Sequence, residues 1–177
     1  MMMAAASPVF AVPVAAKAAG LALALLTLGG CLVRKEAVTV AFDAAEHAPW
    51  QAKGTARIDG EGFLRRPNAF LARCSGGIVY LLPDTTYFRE FLRIRKSGVY
   101  VENDPAGREA FAKGARQTQC NMNGRFYFEE LPAGKWHVAL RISYEGEAWR
   151  DQSSLLAEIE TKPGEVSKAI LSNPNRI

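Results

Sequence analysis

Few residues in this chain have the types and spacing that acid–base, metal or nucleophilic chemistry needs. Its two histidines, His47 and His137, stand ninety residues apart, and no Cys or His group has the spacing of a zinc site. Carboxylates pair at Glu129-Glu130 and at Glu145-x-Glu147. Such pairs can serve acid–base work, but at turns they mark solvated surface. There is no Gly-x-Ser-x-Gly elbow, no Gly-x-x-x-x-Gly-Lys-Ser/Thr loop and no His-Glu-x-x-His helix, and Gly60-Glu-Gly62 lacks the third glycine of a dinucleotide loop. His47 is expected in solvated linker and His137 on a wet strand face. No catalytic residue, metal or cofactor is expected.

The net charge of +4, from 22 Lys+Arg against 18 Asp+Glu, is spread along the chain. Nucleic-acid binding usually needs a dense basic stripe, so no nucleic-acid partner is expected. One basic run stands out. Tyr87-Phe-Arg-Glu-Phe-Leu-Arg-Ile-Arg-Lys96 carries the cations Arg89, Arg93, Arg95 and Lys96 with the aromatics Tyr87, Phe88 and Phe91. This mixture suits an anionic sugar, a lipid headgroup or a protein partner. It equally suits a basic edge strand whose charges prevent edge-to-edge pairing.

The three cysteines carry the remaining chemistry. Residues 1–33 hold one charge, Lys17, followed by eleven uncharged residues from Ala18 to Leu28. Eleven helical residues rise about 16 Å, short of a bilayer core of about 30 Å. They have the length of a signal-peptide apolar region. Leu28-Gly29-Gly30-Cys31 then resembles the lipobox of bacterial lipoproteins. That resemblance implies a signal peptide over 1–30 and a Cys31 diacylated on sulfur, freed from Gly30 and acylated on its amine. An ordinary secretory signal, or an uncleaved anchor using residues 4–33, is the alternative, and Met1 to Met3 leave the start codon open. Several acyl chains hold a protein durably where one does so marginally. Leu32 is not the Asp that favours inner-membrane retention in Gram-negative lipoproteins, so the outer membrane is the expected address, on either its periplasmic or its surface side. With Cys31 lipidated in an oxidising compartment, Cys74 and Cys120 are expected to form a disulfide. Two free buried thiols are the alternative.

These residues need elements to position them. Removal of residues 1–30 leaves 147 residues, enough for one well-buried core. Residues 31–50 are expected as lipidated N-terminus and linker, with a first strand at Ala37–Phe42, and 51–177 as the domain. Strand candidates are Gly54–Asp59 ending in a turn at Asp59-Gly-Glu-Gly62, then Asn68–Cys74, Ile78–Leu82, Phe88–Arg95, Val99–Val101, Arg116–Cys120 and Arg125–Phe128. Residues 105–116 fit either a short helix or a long loop. In Lys135–Tyr144, Trp136, Val138, Leu140 and Ile142 share one face, and His137, Ala139, Arg141 and Ser143 share a wet one. Leu155–Thr161 and Val166–Leu171 are expected as a final hairpin. Many short strands with frequent turns indicate an all-β sandwich.

Two blocks are similar to the carboxypeptidase regulatory-like domains, seven-stranded or similar β-sandwiches of the transthyretin type. Val79 and Leu81 fill the family's first strand after Gly77. Gly124, Phe126, Phe128, Leu131, Pro132, Gly134 and Val138 fill its later turn-strand-turn-strand pattern, with Asn121 where Asp is usual and Trp136 where Tyr is usual. The resemblance implies a core of Val79, Leu81, Phe126, Phe128, Trp136, Val138 and Leu140, with Tyr127 outward. Fold alone names no activity. The expected function is a non-enzymatic binding or structural module of the cell envelope, anchored through acylated Cys31, with a protein or glycan partner. An accessory lipoprotein of a secretion or conjugation machine is the alternative.

Overall fold

Alternation along a strand sends every second side chain to the same face, and β8 (Gly134–Glu145) follows it closely. Trp136, Val138, Leu140 and Ile142 are all buried, while Arg141 and Ser143 are exposed. The structure, a computed structural model, describes residues 34–66, 70–102, 105–145 and 150–177. Cys31, the apolar run before it and Glu147 lie outside the described residues.

β8 is an inner strand of an antiparallel sheet in the order β6 (Arg116–Gln119), β4 (Ile78–Pro83), β8, β9 (Arg150–Thr161). A second sheet is centred on β2 (Ala56–Arg65). It pairs parallel with β10 (Val166–Leu171), and antiparallel with β7 (Arg125–Leu131) and, at its end, with β3 (Leu71–Arg73). Both sheets feed one core, so the chain is β-rich and sandwich-like. Ile58, Leu64, Val79, Leu81, Phe126, Phe128, Trp136, Val138, Leu140 and Leu171 meet there, and all seven expected core residues are among them. Tyr127 points outward at 55% exposure. Cys74 and Cys120 are bonded, with Cα atoms 5.8 Å apart.

The all-β expectation needs correcting, because the described residues include three α-helices. The run expected as a strand at Phe88–Arg95 is α2 (Thr86–Lys96). Tyr87, Phe88, Leu92 and Ile94 are its buried residues. The pair Phe88 and Leu92 has the i, i+4 spacing of a helix stripe rather than the period of two of a strand. Arg93, Arg95 and Lys96 fall in its last turn, where cations complement the helix dipole. Residues 105–116 take the helical alternative as α3 (Pro105–Gly114), with Pro105 in the first turn, where its missing N–H costs nothing.

The expected linker is folded in its described part. β1 (Lys35–Glu36) pairs parallel with β5 (Tyr100–Val101), no strand forms at 37–42, and α1 (Ala44–Gln51) follows. Asp43 caps α1 by accepting from Ala45 N at 2.8 Å. Two turn assignments are also corrected. Asp59-Gly-Glu-Gly62 lies inside β2. The final hairpin is absent, since β9 joins the β8 sheet while β10 crosses to β2. The Lys162–Glu165 loop thus passes between sheets. Finally, the wet face of β8 is largely covered. Leu82, Tyr87, Phe88, Leu92, Ala110 and Leu156 form a second apolar cluster on that side, with Ala139 packed against it.

Candidate functional site

The second cluster leaves an aromatic cleft open between α2, α3 and the β6–β4–β8 sheet. Tyr80 stands on the outward face of β4, between the inward Val79 and Leu81. Phe91 comes from α2 and Phe111 from α3. The Phe91 and Phe111 rings lie 4.9 Å apart at 69°, and those of Tyr80 and Phe111 5.8 Å apart at 89°. Beneath them Phe88, fully buried, meets Phe111 at 5.3 Å. Edge-to-face contacts of this kind fix ring orientation as well as burying area. The three rings line two adjoining hollows. One, of about 530 Å³, adds Tyr87, Glu102, Arg108 and Gln117. The other, of about 450 Å³, adds Arg95, Arg141 and Ser154. An apolar wall with a few polar groups at its rim suits a ligand with one apolar face and a hydrogen-bonding edge.

The basic-aromatic run does not form one surface. Tyr87 and Phe88 are buried. Arg89, Arg93 and Lys96 face outward and are paired: Arg89 with Asp84 at 3.5 Å, Arg93 with Glu90 at 2.8 Å and Glu36 at 2.6 Å, Lys96 with Glu158 at 3.6 Å. The hydrogen bonds that Arg93 donates to Glu90 and then to Glu36 hold its guanidinium above the usual arginine range. Of the seven residues only Tyr87, Phe91 and Arg95 line the cleft. Tyr80, Phe111, Gln117 and Arg141 were not singled out in the sequence. For Tyr80 the signal was present, as the outward residue of an otherwise apolar strand. Phe111 carried none, because its role depends on α3 folding back over β4.

Both histidines are buried, His47 at 2% exposure and His137 at 4%, so neither the solvated-linker nor the wet-face expectation holds. His47 Nδ1 lies 2.7 Å from the Asp43 carbonyl oxygen, which can only accept. Nδ1 therefore donates, and Nε2 shares a hydrogen bond with the Thr85 hydroxyl at 2.8 Å. Thr85 is fully buried, so its hydroxyl is out of reach of a solute. His137 Nε2 lies 2.9 Å from Asp84 Oδ1, and its Nδ1 is 3.9 Å from Glu158 Oε1. Burial works against charge on Asp84, but the hydrogen bond and charge of His137, with Arg89 and Lys135, hold its carboxyl below the ordinary range. Glu129 pairs with Arg57 at 2.5 Å and Glu130 with Lys53 at 2.9 Å, as solvated surface pairs do. Among the described residues no group of three or more His, Cys, Asp and Glu is placed to hold a metal ion.

No protein-family model matches this chain, and no curated protein matches it in sequence. A solved structure does. It is a crystal structure from Pseudomonas aeruginosa described as that of "a putative carbohydrate binding protein", 18% identical, covering 75% of this chain and 97% of its own, with a TM-score of 0.57. At that identity the likeness is one of fold.

Proposed function

We propose that this chain is a lipid-anchored, non-enzymatic glycan-binding module of the bacterial envelope, held at the outer membrane through acylated Cys31. One observation carries the binding part: the cleft of Tyr80, Phe91 and Phe111, rimmed by Gln117, Arg108 and Arg141. A sugar ring has an apolar C–H face and a hydroxyl edge. Aromatic rings, negative on their faces, attract the polarised C–H groups, while arginine and amide side chains reach the hydroxyls. The fold neighbour named for carbohydrate binding supports the same reading.

The transthyretin-type assignment of the sandwich belongs to this proposal, and the turn before β7 supports it. Gly124 has φ 75°, and the Asn121 side-chain oxygen accepts from Asn123 N at 2.9 Å and Arg125 N at 3.0 Å. An Asp oxygen at that place would accept both bonds equally well, so Asn121 keeps the turn chemistry of the family pattern.

Calorimetric titration with soluble peptidoglycan fragments and with chito- and cello-oligosaccharides tests the binding. At least one series should bind, and Phe91→Ala and Gln117→Ala should each weaken it at least tenfold, a loss of about 1.4 kcal/mol. Binding unchanged in both variants would move the site elsewhere. Metabolic labelling with a fatty acid tests the anchor: label should enter the protein and be lost in Cys31→Ser, and label kept in that variant would overturn it.

A further inference from the structure

We propose that the end of the domain carrying β1 is a docking surface for an anionic phospholipid bilayer. The inference rests on the membrane anchoring proposed above, whether through an acylated Cys31 or through the apolar run that precedes it. Either attachment ends within a few residues of the folded domain. Successive Cα atoms are 3.8 Å apart, so Cys31 to Arg34 spans at most about 11 Å. A domain of this size has a radius of gyration of about 15 Å. So short a tether keeps the domain beside the surface and makes the face around Arg34 the one nearest the anchor.

That face has the chemistry for it. Arg34 and Lys35 are exposed. Tyr100, 54% exposed, donates its backbone N–H to Arg34 O at 3.1 Å and is the register partner of Lys35. The Arg95 guanidinium lies over the Tyr100 ring at 5.3 Å and gives one N–H to Val99 O at 3.5 Å, which leaves four of its five donors. Arg95 and Tyr100 open onto a hollow of about 230 Å³, shared with Ser153, Ser154, Arg176 and Ile177. Two arginines on one hollow suit a phosphate oxygen set, since arginine meets phosphate in a bidentate geometry. An exposed tyrosine at the same level is a side chain that favours the headgroup boundary. The acidic residue of β1, Glu36, is held by Arg93 at 2.6 Å, a guanidinium that Glu90 shares at 2.8 Å.

The test uses the full chain with Tyr100→Cys, a nitroxide on that cysteine, reconstituted into vesicles of phosphatidylcholine alone or with phosphatidylglycerol. One nitroxide per chain indicates that Cys31 is blocked by lipid, and two indicate that it is free, so the anchor is read separately from the docking. Flotation with the vesicles reports attachment. In the phosphatidylglycerol vesicles the nitroxide should be open to oxygen and shielded from an aqueous nickel complex. Each basic side chain near an anionic surface is worth about fivefold in partition, so Arg95→Gln with Arg176→Gln should lower the docked fraction on the order of 25-fold. Raising salt should undock the unsubstituted surface in the same way, which covers the case of a double variant that does not fold. A chain that floats but leaves the nitroxide equally open to nickel in both vesicles overturns the docking alone. A chain that does not float overturns the anchor and the docking with it.

Discussion

The ring of Phe126 occupies the space that a side chain on Gly60 would need. A Cβ on Gly60 would lie 2.1 Å from Phe126 Cζ, and the two residues are register partners between β2 and β7. Two residues on, a Cβ at Gly62 would meet Leu140 Cδ2 at 2.7 Å and Cys74 Sγ at 2.9 Å. The inward positions of β2 therefore read Ile58, Gly60, Gly62, Leu64. The strand thins in its middle to admit an aromatic ring and the disulfide.

Gly60→Ala should be costly for this reason, although alanine has the better intrinsic strand and helix behaviour. Forcing a methyl into a filled core typically costs about 1–3 kcal/mol, and the ring atoms here cannot yield without moving β7. A loss of about 2–3 kcal/mol in urea unfolding is expected, with a fall in melting temperature of roughly 5–10 °C. Phe126→Leu in the same chain should recover part of it. Strict additivity of the two losses would show that the ring is not what excludes the methyl.

The Cys74–Cys120 bond closes a loop with a sequence separation of 46 residues. On the chain-entropy model, a loop of that size is worth about 4 kcal/mol through restriction of the unfolded chain. Replacing both cysteines by alanine should cost about 2–4 kcal/mol. The measurement is denaturant unfolding of the double variant beside the oxidised protein. Equal midpoints would mean that the bond contributes nothing the surrounding strands do not already supply.

What could be read in the residues beforehand divides along a physical line. The core strands declared themselves because alternation at Trp136–Ile142 and at Phe126–Phe128 is a local signal that packing then enforces. The disulfide followed from counting cysteines once Cys31 was assigned to lipid. Gly60 and Gly62 misled, because a glycine that makes room for a cross-strand ring looks the same in sequence as one that turns the chain. Tyr87–Lys96 misled differently. Its stripe of Phe88 and Leu92 is helical, but its interleaved charges imitate an exposed strand. The aromatic cleft was half visible. Phe91 and Arg95 lay in the run singled out for binding, whereas Tyr80 and Phe111 become neighbours only when α3 covers the sheet.

Asp84 gives an acid-limb prediction with a defined sign. The hydrogen bond and charge of His137, helped by Arg89 and Lys135, overcome burial and hold its carboxyl below the reference value of 3.8 in the folded chain. The folded state thus binds fewer protons at this site than the unfolded state through the acid range, so stability rises with pH there. The contribution is fully present above the unfolded value, near pH 4–5 and upward, and is lost as pH falls through the lower folded value. Asp84→Asn keeps an oxygen to meet His137 Nε2 but removes the charge. The variant should melt lower than the unsubstituted protein at pH 7, and the gap should close as the pH is lowered toward 3. Asp59, Glu90 and Glu158 are lowered as well, by Arg57, Arg93 and Lys135 respectively, so the variant should retain a residual acid slope. Melting curves recorded in parallel at several pH values decide the matter: a gap of constant size down to pH 3 would assign the effect of the substitution to lost packing and not to the ionised carboxylate.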